Sequence, residues 1–180
     1  MKKVVICGDS DSGILTQTIV RACSNSGGVL YCDGKKMNEM VQNPEFIILS
    51  LPVLTEMNCR DGILILGNTL THINQNIDLY GMIPVVDTSD RAALHFLSKK
   101  RISAVGCSMS SYDTLSLSGV KDFSSKLVSL QRSIRTVEGC ILEPHEFVVR
   151  LSEEIPVYPL LAACAVLLLS GKSSSEGYWF

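Results

Sequence analysis

The 180 residues predict an α/β domain: a mostly parallel sheet with helices on both faces, plus a small antiparallel section near residues 112–151. Three observations carry this. Short segments such as Val4-Val5-Ile6-Cys7 and Ile63-Leu64-Ile65-Leu66 are apolar at every position, as strands buried on both faces are. These runs alternate with segments whose apolar residues recur at three- and four-residue steps, the period of a helix. From Tyr112 to Leu151 the continuous runs give way to period-two alternation, the mark of half-buried antiparallel strands.

Taken in order, Lys3 to Cys7 reads as the first strand, ended by Gly8. Ser12 to Ser26 reads as a helix, with Ile14, Leu15, Thr18, Ile19 and Ala22 on one face and Gly27-Gly28 as its stop. Val29 to Cys32 and Phe46 to Leu51 are the next strands, the latter halted by Pro52. Gly62 to Gly67 encloses a fourth, and Pro84-Val85-Val86 is a fifth. Ser89 is positioned to cap a helix through Lys99, with Ala92, Ala93, Phe96 and Leu97 as its apolar face. Ile102 to Cys107 reads as a sixth strand. In the antiparallel stretch, Glu138-Gly139 reads as a hairpin turn. Pro156 and Pro159 open a closing helix, since proline is tolerated in a first turn, and Gly171 ends it. Residues 1–171 thus read as one domain and residues 172–180 as a polar tail with an aromatic end.

Composition narrows the function classes. The 16 basic and 18 acidic residues give a net charge of −2, without the basic excess of a general nucleic-acid binder. With 46% hydrophobic residues the chain fills a core, and with 6% aromatics that core is aliphatic. The longest apolar stretch, Leu160 to Leu169, falls short of the roughly 20 residues that span a bilayer. The start, Met1-Lys2-Lys3 followed by a brief apolar run, does not read as a signal peptide. Seven scattered cysteines with no CxxC fit a reduced, cytoplasmic protein.

The junction Gly8-Asp9-Ser10-Asp11-Ser12-Gly13 joins the first strand to its helix, where ligands bind in doubly wound sheets. Gly8 and Gly13 are spaced as in a phosphate loop, but Ile14 and Leu15 stand where that loop needs Lys and Ser/Thr. Asp9 and Asp11 add negative charge where phosphate would lie. The dinucleotide fingerprint also fails, because residue 10 is Ser. The loop reads either as an altered ligand loop or as a helix N-terminus stabilised by Asp and Ser caps.

Three further stretches together resemble the central domain of the Mur ligases and folylpolyglutamate synthetases. Ile63-Leu64-Ile65-Leu66-Gly67-Asn68-Thr69-Leu70-Thr71-His72-Ile73-Asn74, followed by Tyr80-Gly81, is similar to that family's V-x-T-N-I-x-x-D-H-L-D segment and its later glycine. Val85-Val86-Asp87-Thr88-Ser89-Asp90 is similar to its V-x-N-x-D-D-P. Tyr158 to Gly171 is similar to the helix that closes its domain. The resemblance runs from residue 3 to about residue 171 and implies a phosphate-loop-like fold binding ATP and magnesium for amide ligation. Under that alignment His72 matches a magnesium ligand, and Asn68 is also kept. Other machinery is altered: Ser12 replaces the phosphate-binding lysine, Ser50 the magnesium-binding glutamate, and Pro156 and Pro159 the asparagines before the last helix. Only Met82-Ile83 separate Gly81 from Pro84, where the carbamylated lysine segment would lie, and the family's flanking domains have no counterpart in these 180 residues. Each change removes a group that stabilises charge on a transferring phosphoryl.

The expectation is therefore a non-catalytic or repurposed domain that binds a small polar or nucleotide-like ligand, or a protein partner, and neither nucleic acid nor membrane. Its site would lie on Gly8, Asp9, Ser10, Asp11, Ser12 and Gly13, with Asn68, Thr71 and His72, and with Asp87 and Asp90 able to hold a ribose hydroxyl. The alternatives are an ATP-dependent ligase or kinase with an atypical loop, and a scaffold subunit without ligand. His95 and His145 read as structural and solvated residues. Gly106 to Asp113 reads as a hydroxyl-rich turn or pocket lining, and Arg132 with Arg135 as an anion pair or a solvated face.

Overall fold

Apolar runs set the strands, and glycine or polar residues end them. The computed structural model describes residues 1–9, 13–39, 42–67, 77–122 and 124–180. In chain order these form β1 (Lys2–Cys7), α1 (Ile14–Gly27), β2 (Val29–Cys32), β3 (Met37–Glu39), β4 (Phe46–Leu51), β5 (Gly62–Leu66) and β6 (Met82–Asp87). There follow α2 (Arg91–Lys99), β7 (Val105–Ser108), β8 (Leu115–Asp122), β9 (Ser125–Leu130), β10 (Ile134–Arg135), β11 (Ile141–Leu142), β12 (His145–Arg150), α3 (Val157–Leu169) and β13 (Tyr178–Trp179).

Among the described residues eleven strands make one sheet, ordered β13-β12-β9-β8-β7-β6-β5-β1-β4-β2-β3. Every neighbour pair from β2 through β8 is parallel. β3 and β9 run against their neighbours, and β13 lies parallel to β12. The expected antiparallel section is present as β8, β9 and β12 within the main sheet, and as a separate β10–β11 hairpin. Its turn falls at Glu138-Gly139, where Gly139 N–H donates to Thr136 O at 2.9 Å and Thr136 N–H to Cys140 O at 2.8 Å.

The parallel strands bury successive residues because consecutive side chains enter different cores. Val4, Ile6, Ile63, Ile65 and Val85 join one cluster with Leu15 and Ile19 of α1 and most of α3. Val5, Cys7, Leu64, Leu66 and Val86 join a second cluster with Ala93 and Leu97 of α2. α3 carries no polar face: eleven of its 13 residues are buried, which is why the sequence there is apolar all round. No helix among the described residues is long and apolar enough to cross a membrane.

Four local expectations are revised. The cap of α2 is Asp90, not Ser89: its Oδ1 accepts from Ala92 N–H at 3.0 Å and Ala93 N–H at 3.1 Å. The strand after α2 starts at Val105 rather than Ile102, because Ile102 N–H still donates to Leu97 O at 3.1 Å and finishes the helical turn. Met37–Glu39, which carried no strand signal, pairs with β2. The aromatic end of the tail is the edge strand β13.

Candidate functional site

Parallel pairing brings the carboxyl ends of β1, β2, β4, β5, β6 and β7 to one rim of the sheet. Ile6 is in register with Ser50, Cys7 with both Leu51 and Leu66, and Asp87 with Cys107. Gly8 N–H donates to Leu51 O at 3.1 Å and Gly67 N–H to Cys7 O at 2.8 Å, so the chain leaves β1 and β5 in close contact. A Cβ on Gly67 would sit 2.2 Å from Gly8 O, closer than any side chain is tolerated. Only glycine lets the two strand ends approach this way.

From Gly8 the chain turns into α1. Its cap, Gly13, has φ 64° and offers no side chain to the helix. Asp9 supplies what Gly13 lacks: its Oδ2 accepts from Thr16 N–H at 2.8 Å. The orphan N–H groups of a helix N-terminus are where a phosphate would bind. Here one of them is held by the chain's own carboxylate.

Beside this carboxylate lies a cleft of about 300 Å³, lined by Asp9, Thr16, Tyr31, Asp33, Ser50 and Leu51 among others. Three hydroxyls run through it. Thr16 Oγ1 and Ser50 Oγ are 3.1 Å apart, and Tyr31 lines the same cleft. Burial, and then the charge of Asp33, push the Tyr31 phenol above its ordinary value. Asp33 closes the mouth at the end of β2. Its Oδ1 accepts from Lys36 N–H at 2.7 Å and Lys35 N–H at 2.9 Å, and these bonds hold its carboxyl below the usual range. Among the described residues the lining thus carries two carboxylates and three hydroxyls but no lysine or arginine.

The other residues marked from the sequence fall elsewhere on the rim or outside the described residues. Asp87 ends β6, two strands from β1 in the sheet order, which is about 10 Å at ordinary strand spacing. Its Oδ1 accepts from Ser89 N–H at 2.8 Å, and Asp90 is engaged as the α2 cap. Ser10, Asp11, Ser12, Asn68, Thr71 and His72 lie outside the described residues. Among the described residues no three His, Cys, Asp or Glu side chains are grouped to hold a metal ion. His95 is exposed on α2. His145 is not a solvated loop residue: it begins β12, with Nδ1 2.7 Å from Glu143 O and Nε2 2.7 Å from Ser174 Oγ.

Sequence reasoning missed Thr16, Tyr31 and Asp33. Thr16 falls inside the expected helix but outside the apolar spacing that marks its face. Tyr31 and Asp33 sit at the end of a short strand with no spacing pattern of their own. It also missed Tyr158, whose buried hydroxyl donates to Leu66 O and Val85 O at the ends of β5 and β6. No protein-family model matches the chain, and no curated protein matches it.

Proposed function

We propose that this chain is a repurposed Mur-ligase-like domain that binds a small polar ligand in the cleft beside Asp9 and does not drive ligation with ATP. We infer with it a phosphate-loop-like fold clothed by helices on both faces and a cytoplasmic setting. The split of alternate β1 and β5 residues between an α1/α3 cluster and an α2 cluster supports that fold. Seven free cysteines, four of them buried, accord with that setting.

One observation carries the functional reading: the Asp9 carboxylate accepts the Thr16 N–H at the start of α1. A triphosphate entering there must displace a charge-assisted hydrogen bond and come to rest among carboxylates. The described residues do not fit ATP with magnesium at this loop. The residue aligned with the metal-binding glutamate is Ser50, whose hydroxyl is engaged with Thr16. The cleft instead offers hydroxyl donors and acceptors with two fixed carboxylates, which suits a ligand rich in hydroxyl or amino groups.

Calorimetric titration with ATP, with and without magnesium, tests this. The expected result is no saturable heat up to about 1 mM ATP, with weak phosphate binding emerging in an Asp9→Ala variant that frees the helix N-terminus. Magnesium-dependent binding by the unaltered chain at about 10 µM would overturn the reading in favour of an ATP-dependent ligase or kinase.

A further inference from the structure

A second cleft, of about 310 Å³, lies between α2 and the ends of β6 and β7, away from the Asp9 cleft. Its wall includes Leu97, Ile102 and Ala104, and its polar side carries Asp113 and Arg132. Both charged residues line the same cleft, yet they make no ion pair with each other. Neither residue is among the ion pairs found between described residues, which include Lys2–Glu138, Arg21–Glu153 and Lys172–Glu45.

Each charge is held from behind. Asp113 Oδ2 accepts from Thr88 Oγ1 at 2.8 Å and from Ser108 Oγ, so both hydroxyls fall on one oxygen of the carboxylate. Ser108 Oγ in turn accepts from Ser110 N–H at 2.9 Å. Arg132 Nη2 donates to Tyr112 O at 2.9 Å, which fixes the guanidinium at the mouth. Gly106 makes room for this arrangement, since a Cβ there would lie 2.7 Å from Thr88 Cγ2 and 3.2 Å from Asp113 Oδ1. Pre-organised opposite charges that do not neutralise each other, set beside an apolar wall, are complementary to a molecule that bridges them.

We infer that this cleft binds a small zwitterion with a short aliphatic body, its ammonium on Asp113 and its anionic group on Arg132. The inference does not rest on the proposed role of the Asp9 cleft, and the two fail separately. A cation alone would meet Arg132, and an anion alone would meet Asp113, so each is opposed by one charge of the pair.

The test is a titration followed by amide chemical shifts of residues 104–114, using L-leucine, with adjacent charges, and 5-aminopentanoate, with separated charges. Saturable binding of at least one, at about 1 mM or tighter, is expected. N-acetylation or amidation of the binder, which deletes one charge, should weaken it about tenfold. Arg132→Gln should do the same, and because Arg132 is exposed this variant does not threaten the fold. Asp113→Asn, checked by its unchanged far-ultraviolet circular dichroism, should selectively lose the ammonium-dependent part. The inference is overturned if neither probe shifts these amides at about 20 mM, or if the charge-deleted forms and the Arg132→Gln protein bind equally well.

Discussion

Tyr158 ties two neighbouring strands of the rim together through one hydroxyl. It enters from the first turn of α3, and its single proton is shared between Leu66 O and Val85 O, the latter 3.3 Å away. Burial raises its pKa well above the ordinary phenol value, so the group stays a donor. Replacing it with Phe removes this buried donor from both carbonyls. Tyr158→Phe should lower stability by about 1–3 kcal/mol, read as an earlier urea midpoint with an unchanged slope. An unshifted midpoint would mean that water replaces the phenol. The apolar run from Leu160 to Leu169 predicts a buried helix, but not the partners of Tyr158, which are 92 and 73 residues away in sequence. Asp9 was more legible, because an acid just before a helix is a local signal. What the local signal omitted is that the cap reaches past Gly13 to Thr16.

Among the elements, β13 shows where sequence pattern stops being informative. Two residues cannot display a period, and the serines before them look like a loop. Yet Tyr178 and Phe180 are 5% and 4% exposed, with Trp179 facing outward between them. Phe180 N–H donates to Arg150 O and Ser152 N–H to Phe180 O, both at 2.9 Å. The Tyr178 ring meets Phe147 edge-on at 5.3 Å, and the Arg150 guanidinium lies 4.8 Å from the Trp179 ring centre. A chain ending at Gly177 should lose about 3–5 kcal/mol, the worth of two buried aromatic side chains, and should self-associate through the uncovered edge of β12. Chemical denaturation and light scattering read the two effects, and a truncated chain as stable as the full one would refute the packing account. The Asp90 cap teaches a related lesson. Ser89 and Asp90 both carry cap chemistry, and the choice between them is made by where the backbone leaves the extended region, at Asp90 with φ −79° and ψ 92°.

For the molecule as a whole, the buried thiols set an alkaline limit. Burial pushes Cys7 up to about 11 from an ordinary 9.0, and it also raises Cys23, Cys107 and Cys164. In the unfolded chain these groups ionise near 9.0, while the folded core keeps them protonated. The stabilising contribution is therefore complete below about pH 9 and is lost as pH climbs through the folded values. The melting temperature should fall steadily from about pH 8 to about pH 10.5, and Cys7→Ala should flatten part of that slope. A pH-independent melting temperature would show that the thiols are not shielded. At this scale the class of fold was legible, because apolar runs with intervening helices imply parallel strands. Strand order was not. Placing β1 between β4 and β5 is a choice among topologies that share the same residue pattern.

The position of α3 in the chain has a consequence for how the protein is made. Its side chains belong to the same cluster as Val4, Ile6, Ile63, Ile65 and Val85, which emerge from the ribosome long before it. At ordinary translation speeds roughly 10–30 s separate the first strand from the helix that covers it. Throughout that interval the growing sheet presents an aliphatic face that α1 covers only in part. The nascent chain is therefore a natural client for a holding chaperone, and slowing synthesis between β12 and α3 would prolong its vulnerability rather than help it fold.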